Sequence, residues 1–195
     1  MYELGQRIQD ALQAVDPQAR VYIYGGAFRC ALTDHRQNTP PDFLVVSKRL
    51  DLETAKSSTT EVGGNPTHCA LYPSVRDFLS TRHFTVDQGA LGLDGEVAFA
   101  TDRCRADLRD NVIRPTRYAA TADPARRGQR YSATLCGRAV RLANLYGFEP
   151  CKTLARYIRS KWQSLLDSRS FRWHATKMDL ALESSTAVPS PWFLG

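Results

Sequence analysis

Residues 21–46 read VYIYGGAFRCALTDHRQNTPPDFLVV, and the rest of the chain is organised around this stretch. A run typical of a β-strand, residues 21–24, meets two glycines and then a short helical pattern. Glycines after a strand let backbone N–H groups approach an anion closely, and the positive end of the following helix points the same way. Gly25, Gly26 and Arg29 are therefore candidate phosphate-binding residues. A tight strand-to-helix turn with a surface arginine explains the same pattern, so the later segments must decide.

The second apolar run of this stretch, residues 43–46, is headed by a single carboxylate, Asp42. Carboxylate oxygens at the mouth of a strand are ligands that Mg²⁺ prefers. Asp42 is therefore the candidate metal ligand.

Length and composition fit an ordinary globular protein. The 195 residues suffice for one domain, or one domain with a small appendage, and 43% of them are hydrophobic. No apolar run approaches the roughly 20 residues that span a bilayer, and the N-terminus lacks a signal-peptide pattern. We therefore expect a cytoplasmic protein with no membrane partner.

The five cysteines are scattered, odd in number and without a C-x-x-C pair, which argues against a cysteine-based zinc site or a disulfide framework. We expect reduced, partly buried thiols. His68 beside Cys69 could suggest a metal-ligand pair, but no sequence neighbour completes such a site.

The positive charge is concentrated between residues 103 and 141. This span contains ten arginines, three acids and no lysine. Because the guanidinium fork suits bidentate recognition of phosphate, the cluster favours a nucleotide, RNA or DNA ligand. A solvated basic face, or arginines paired with the acids of a protein partner, are the alternatives.

Periodicity and turn signals predict an alternation of helices and short strands. The predicted elements are helix 2–15, strand 21–24, helix 27–33, strand 42–47, an irregular excursion over 48–73 with one short strand at 69–72, helix 74–81 capped by Ser74, strand 84–88 continuing to 93, a hairpin turn at Asp94-Gly95, strand 97–99, helix 102–109, strand 112–115, and helices 124–146, 151–166 and 170–183.

In this order the segments resemble the head domain of the tRNA CCA-adding and bacterial poly(A) polymerase family, a branch of the polymerase-β-like nucleotidyltransferases. The family opening of strand, Gly-Gly, small residue, hydrophobic residue and Arg is matched by YGGAFR at 24–29. The family's paired aspartates precede an apolar strand. Here Asp42 takes the second position and Pro40 stands at the first.

Three further segments follow the family order. The family motif Arg-Arg-Asp-Phe-Thr is matched by TRHFT at 81–85, which keeps Arg82 and replaces the family aspartate with His83. A hairpin and an Asp-Leu lead to an Ile-Arg at 113–114. A helix with Arg138 and Arg141 on one face then ends near Gly-Phe at 147–148, although Arg126 could also begin that last motif.

The resemblance implies an α+β fold: a nucleotidyltransferase-like mixed sheet flanked by helices and followed by a small C-terminal helical segment. It places the head domain at 1–148, a short neck-like extension at 149–183 and an irregular tail at 184–195, whose apolar end could anchor on a partner or fold back. It also implies Gly25, Gly26, Arg29, Arg82, Arg138 and Arg141 as substrate-binding residues. Too few residues follow Phe148 for the family's several-helix tRNA-holding body.

The departures concern the metal site. In the family, two aspartates hold Mg²⁺ ions that activate the attacking hydroxyl and bind the triphosphate. Proline at position 40 offers no ligand, and Asp87, expected on a strand beside that of Asp42, is the only obvious substitute. Phosphoryl transfer depends almost entirely on positioning and charge neutralisation.

These departures lead us to expect a catalytically weak or inactive domain that binds nucleotide, RNA or protein within a larger assembly. An active minimal nucleotidyltransferase that uses Asp42 and Asp87 with Mg²⁺, and a purely structural scaffold, are the alternatives.

Overall fold

A computed structural model describes residues 1–33, 40–121 and 131–176. The predictions that concern Arg126, the end of the last helix and the tail 184–195 lie outside these residues. The chain divides into two compact units. The first comprises Met1–Arg82 and Val86–Leu108, and the second comprises His83–Thr85 and the chain from Arg109 onward. These units divide at 108/109. The predicted end of the head domain at residue 148 stays a prediction.

The first unit is built on a mixed five-stranded sheet of order β3-β2-β1-β4-β5. Its strands are β1 (Arg20–Tyr24), β2 (Asp42–Val46), β3 (Cys69–Tyr72), β4 (Gly89–Leu91) and β5 (Val97–Ala100). Only β2 and β3 pair in parallel, with Phe43 opposite Cys69, and the other neighbours are antiparallel. The predicted mixed sheet of an α+β fold is confirmed.

Helices of the first unit cover this sheet. Those that contact its strands are α1 (Tyr2–Gln13), α2 (Gly26–Ala31), α3 (Leu52–Glu61) and α4 (Val75–Ser80), while α5 (Asp102–Arg109) follows β5 and has its last residue in the second unit. Helix α1 contacts β1 and α3 and buries Ile8 and Leu12 completely, as its helical spacing predicted. Ser74 caps α4 by accepting a hydrogen bond from the Asp77 N–H, again as predicted.

Helix α3 lies where the sequence predicted an irregular excursion, so that prediction was wrong. Its Ser- and Thr-rich sequence has weak periodicity, but Asp51 caps it by accepting from the Thr54 N–H at 2.7 Å. The buried Thr59 satisfies its hydroxyl within the helix by donating to the Ala55 carbonyl at 2.8 Å. Such back-bonding hides threonine hydroxyls and lets a polar-looking segment pack against β3.

The predicted strand 84–88 is also wrong, because the chain forms a 3₁₀ turn at Thr85–Asp87. Phe84 and Val86 alternate with polar residues as a strand would, and both are fully buried. Thr85 instead donates its N–H to the Arg114 carbonyl at 2.9 Å, outside any ladder of the five-stranded sheet. The alternating apolar and polar residues therefore belong to a buried turn, and Asp87 does not lie on a strand beside Asp42.

The second unit is mostly helical. It contains a parallel pair, β6 (Val112–Ile113) with β7 (Glu149–Pro150), and the helices α6 (Arg117–Thr121), α7 (Ala133–Tyr146), α8 (Lys152–Ser160), α9 (Trp162–Leu166) and α10 (Arg169–Thr176). Ser132 caps α7, and Gly147 ends it with a φ of 64°. The single helix predicted at 151–166 is two helices, because the backbone leaves helical geometry at Lys161, where φ is −116°.

All five cysteines are free thiols, three buried and two half-buried. Burial raises the pKa of Cys104 and of Cys136 to about 12, so these thiols are poor nucleophiles. Among the described residues, the longest and most apolar helix still falls short of what crossing a membrane requires.

A buried carboxylate anchors the turn between α1 and β1. Asp16 accepts from the Ser47 hydroxyl at 2.6 Å and from the Gln18 N–H at 3.0 Å, and the Ser47 oxygen accepts from the N–H groups of Arg49 and Leu50. These bonds, above all the one from Ser47, lower the pKa of Asp16.

We predict that Asp16→Asn lowers the melting temperature at pH 7 and that the difference from wild type shrinks in acid. A lowered folded-state pKa gives stabilisation that is present above the unfolded value of about 3.9 and is lost as the pH falls through the folded value. Circular-dichroism melts between pH 3 and 7 measure this, with the exposed Asp10→Asn as control. A constant difference across that range would contradict the role of the Asp16 charge.

Candidate functional site

The Gly-Gly turn after β1 is shaped around Asp42. Tyr24 pairs with Asp42 across the antiparallel strands, and Gly25 then turns with a φ of 70°. A Cβ on Gly25 would lie 2.6 Å from Asp42 Oδ2, so only glycine lets this carboxylate fit against the turn. Burial, followed by the negative charge of Asp42, raises the pKa of Tyr24 to about 12. The phenol therefore stays neutral.

Asp42 is bonded to His68, a partner that the sequence alone did not connect with it. The two atoms Asp42 Oδ1 and His68 Nδ1 are 2.7 Å apart, and the side chains are 34% and 30% exposed. The parallel register explains this contact: Phe43 is opposite Cys69, so Asp42 and His68, which precede them, lie side by side. His68 closes a 3₁₀ turn, Pro66–His68, which is capped by Asn65.

Arg29 and Asp87 form a buried ion pair. Arg29 Nη1 donates to Asp87 Oδ1, and the two side chains are only 11% and 9% exposed. Arg29 lies in α2, directly behind the Gly-Gly turn, and Asp87 lies in the turn before β4. The guanidinium that the sequence assigned to a ligand phosphate and the carboxylate that it assigned to a metal thus bond to each other.

Arg82 is packed into an aromatic cluster. Its guanidinium carbon lies 4.3 Å from the Phe78 ring centre and 5.4 Å from that of Tyr72. Its Nη2 also donates to the Tyr72 hydroxyl at 2.6 Å. These contacts orient Arg82 within the first unit.

The remaining predicted binding residues, Arg138 and Arg141, belong to the second unit. Arg138 Nη1 is 3.2 Å from His83 Nδ1, and the His83 ring packs at 5.4 Å on Tyr118. The substitution of histidine for the family aspartate therefore places an imidazole against Arg138. Arg141 is half-buried on α7.

A two-carboxylate Mg²⁺ site requires two aspartates to share an ion. Asp42 instead bonds to an imidazole, and Asp87 neutralises a buried guanidinium. Within the part of the chain that the structure describes, no group of three or more His, Cys, Asp or Glu side chains is placed to hold a metal. The donor set at Asp42 thus does not fit the paired-aspartate Mg²⁺ site that the resemblance implied.

Solved structures with the same fold include CCA-adding enzymes. The Thermotoga maritima CCA-adding enzyme complexed with tRNA matches with a TM-score of 0.60 and 20% identity, over 89% of this chain and 44% of that one. A CCA-adding enzyme in apo form I matches with a TM-score of 0.63 and 18% identity, over 94% and 48%. The Bacillus stearothermophilus enzyme in complex with CTP matches with 0.57 and 16%, over 89% and 51%.

The chain has the nucleotidyltransferase fold of CCA-adding enzymes. It spans about half the length of the matched structures. No protein-family model and no curated protein matches it. The resemblance drawn from the ordered motifs is confirmed at the level of this nucleotidyltransferase fold, and the roles of the individual site residues stay predictions.

We predict that Gly25→Ala destabilises the protein more than Gly63→Ala does. Both glycines have positive φ, 70° and 84°, so either alanine is strained, and the ψ of −128° at Gly25 also lies outside the left-handed helical region that other residues occasionally adopt. Gly63 has open space around an added Cβ, whereas at Gly25 the Cβ would collide with Asp42. Urea unfolding of the two variants measures the difference. Equal losses would show that Asp42 moves aside without cost.

We predict that Asp87→Ala lowers the free energy of unfolding by about 3–5 kcal/mol, because it removes the carboxylate that pairs with the buried Arg29 guanidinium. The double variant Arg29→Met/Asp87→Leu should recover much of that loss, since it removes both charges and fills the space. Denaturant unfolding of the singles and the double gives the coupling energy. A small effect of Asp87→Ala would instead agree with a carboxylate kept for a ligand.

Proposed function

We propose that this protein is a nucleotidyltransferase-fold protein with weak or absent catalysis, which binds a nucleotide or RNA as a component of a larger assembly. One observation supports the loss of catalysis: each of the two candidate metal-binding carboxylates has a different partner. Asp42 bonds to His68, and Asp87 bonds to Arg29. Pro40, at the position of the family's first aspartate, has no side-chain oxygen that could bind a metal. With the charge-neutralising ions lost, a phosphoryl-transfer site retains little chemistry.

The ligand class is supported by the fold and by surface charge. Among the similar structures, one CCA-adding enzyme is complexed with tRNA and another with CTP. In this chain, helix α8 buries Leu154 and Ile158 on one side and carries exposed cations on the other, without an acidic residue in the helix. Those cations are Lys152, Arg156 and Arg159, and exposed Lys161 follows directly.

The spacing of these cations suits a phosphate backbone. Lys152 and Arg156 are four residues apart and Arg159 follows after three, so all three project from neighbouring turns of one face. Such a strip binds RNA mainly by neutralising phosphates and releasing counterions, which makes the affinity depend steeply on salt. We therefore assign the RNA contact to α8. A protein partner stays a prediction, because the apolar tail that suggested it lies outside the described residues.

We predict that Arg156→Gln/Arg159→Gln weakens RNA binding and flattens its salt dependence. Removing two phosphate contacts to a single strand should reduce the slope of log K against log salt by about 1.4. Fluorescence anisotropy with a labelled 20-nucleotide RNA, between 50 and 300 mM salt, measures both quantities. The control Arg7→Gln/Arg76→Gln removes two exposed charges from the first unit. Equal effects of both double variants would mean that net charge, and not α8, attracts RNA.

Catalysis is tested separately. Wild-type protein incubated with RNA, labelled CTP or ATP, and Mg²⁺ should incorporate little or no label. Robust Mg²⁺-dependent incorporation that is lost in Asp42→Asn and in a folded Asp87→Asn would overturn the proposal in favour of an active minimal enzyme. Failure to bind either nucleotide or RNA would instead favour the structural scaffold.

A further inference from the structure

We propose that Trp173 of α10 is a stacking platform for an unpaired base of RNA. The second unit then prefers single-stranded RNA to a duplex. This inference rests on the proposed function, because it names the form of RNA that the protein binds and adds a base contact to the phosphate contacts of α8.

The packing of α10 fixes the position of Trp173. Phe171 is completely buried, and its ring meets that of the buried Trp162 edge to face, with the ring centres 5.6 Å apart. Helix α10 also contacts α7 and α9. Because a helix turns about 100° per residue, Trp173 lies about 200° around the axis from Phe171. Phe171 thus anchors the helix, and Trp173 lies on its opposite, outer side.

The exposure of Trp173 makes its ring a candidate contact for a partner. Its side is 53% exposed, whereas Trp162 is 6% exposed. Tryptophan is highly buried on average, and it is enriched where proteins bind their partners. Proteins hold unpaired bases by stacking them on aromatic side chains, and such stacking tolerates any base because every base has a flat face.

The charge beside the ring favours RNA over an apolar protein partner. Arg169 is exposed and precedes Trp173 by four residues, which places the two side chains on the same face of α10. The helix contains no acidic residue. A cation one turn away from an aromatic ring suits a nucleotide, whose phosphate and base are separated by the ribose.

Helix α10 belongs to the same unit as α8, which carries the proposed phosphate contacts. Helix α9 lies between them in the chain and contacts both. A strand whose phosphates bind α8 therefore has an aromatic platform within the same helical unit. A duplex can use the cations, but its bases are already paired and stacked on each other. We therefore expect Trp173 to contribute to the binding of single strands only.

Fluorescence anisotropy of the full chain tests the platform, with a labelled 20-nucleotide single strand and the matching duplex as probes. Trp173→Ala should weaken binding of the single strand about 5- to 150-fold, the range expected for the loss of one stacked base. It should leave duplex binding nearly unchanged. Trp173→Phe, which keeps a ring, should retain most of the affinity. The control Tyr2→Ala removes an exposed ring from the first unit and should change neither affinity.

Salt dependence separates stacking from charge. Trp173→Ala removes no charge, so it should weaken binding by the same factor at every salt concentration and leave the slope of log K against log salt unchanged. The α8 variant Arg156→Gln/Arg159→Gln flattens this slope instead. Bound RNA should also quench tryptophan fluorescence more in the wild type than in Trp173→Phe, because only the wild type has an indole against the base.

Unchanged single-strand affinity of a folded Trp173→Ala, or an equal loss of affinity for strand and duplex, would overturn the proposal. Normal RNA binding by Trp173→Ala combined with a changed oligomeric state in sedimentation would assign the ring to a protein contact, which also overturns it. In either case RNA binding by the wild type leaves the proposed function standing. A wild-type protein that binds no RNA would overturn the proposed RNA contact and this inference together.

Discussion

The buried ion pair between Arg29 and Asp87 is the constraint on which the site depends. It ties α2, which follows the central strand β1, to the turn that precedes β4, the neighbour of β1. Burying two charges is costly, and only close pairing makes the arrangement tolerable. Each side chain is therefore held in place by the other, and neither can turn toward a ligand without breaking this buried ion pair.

The packing around this pair is equally tight. Phe28, one residue before Arg29, lies so close to β4 that a Cβ on Gly89 would be 2.2 Å from its ring. The first glycine of the Gly-Gly turn gives the same kind of room to Asp42 on the other neighbour of β1. Gly89 thus makes room for Phe28 of α2, and Gly25 makes room for Asp42. Both close contacts lie beside the central strand β1.

Most of this architecture could be predicted from the sequence, because it rests on local signals. The amphipathic spacing of residues 2–15, the apolar runs of β1 and β2, the Ser74 cap and the Asp94-Gly95 turn each specify their own element. Helix α3 was missed because its hydroxyls are satisfied inside the helix, which no periodicity reveals. The sequence predicted a strand at the turn Thr85–Asp87 because apolar and polar residues alternate there, although residues 84–87 are all buried.

The candidate site was less predictable because its contacts depend on register. His68 could be connected with Asp42 only by knowing that β3 pairs in parallel with β2 and begins at the same level. The pairing of Asp87 with Arg29 likewise required knowing that the chain turns there. The motifs identified which residues carry charge near the Gly-Gly turn, but three-dimensional pairing decides which charge neutralises which.

Exposure then separates the two aspartates. Asp87 is buried against a guanidinium, so giving up that contact for a metal would break a buried ion pair. Asp42 is one-third exposed and shares a hydrogen bond with an imidazole, so water can solvate either group while the bond opens. A partly exposed bond of this kind contributes less to stability than breaking a buried pair of charges costs. Of the two carboxylates, Asp87 is therefore the one held in the core, and Asp42 is the one that solvent reaches.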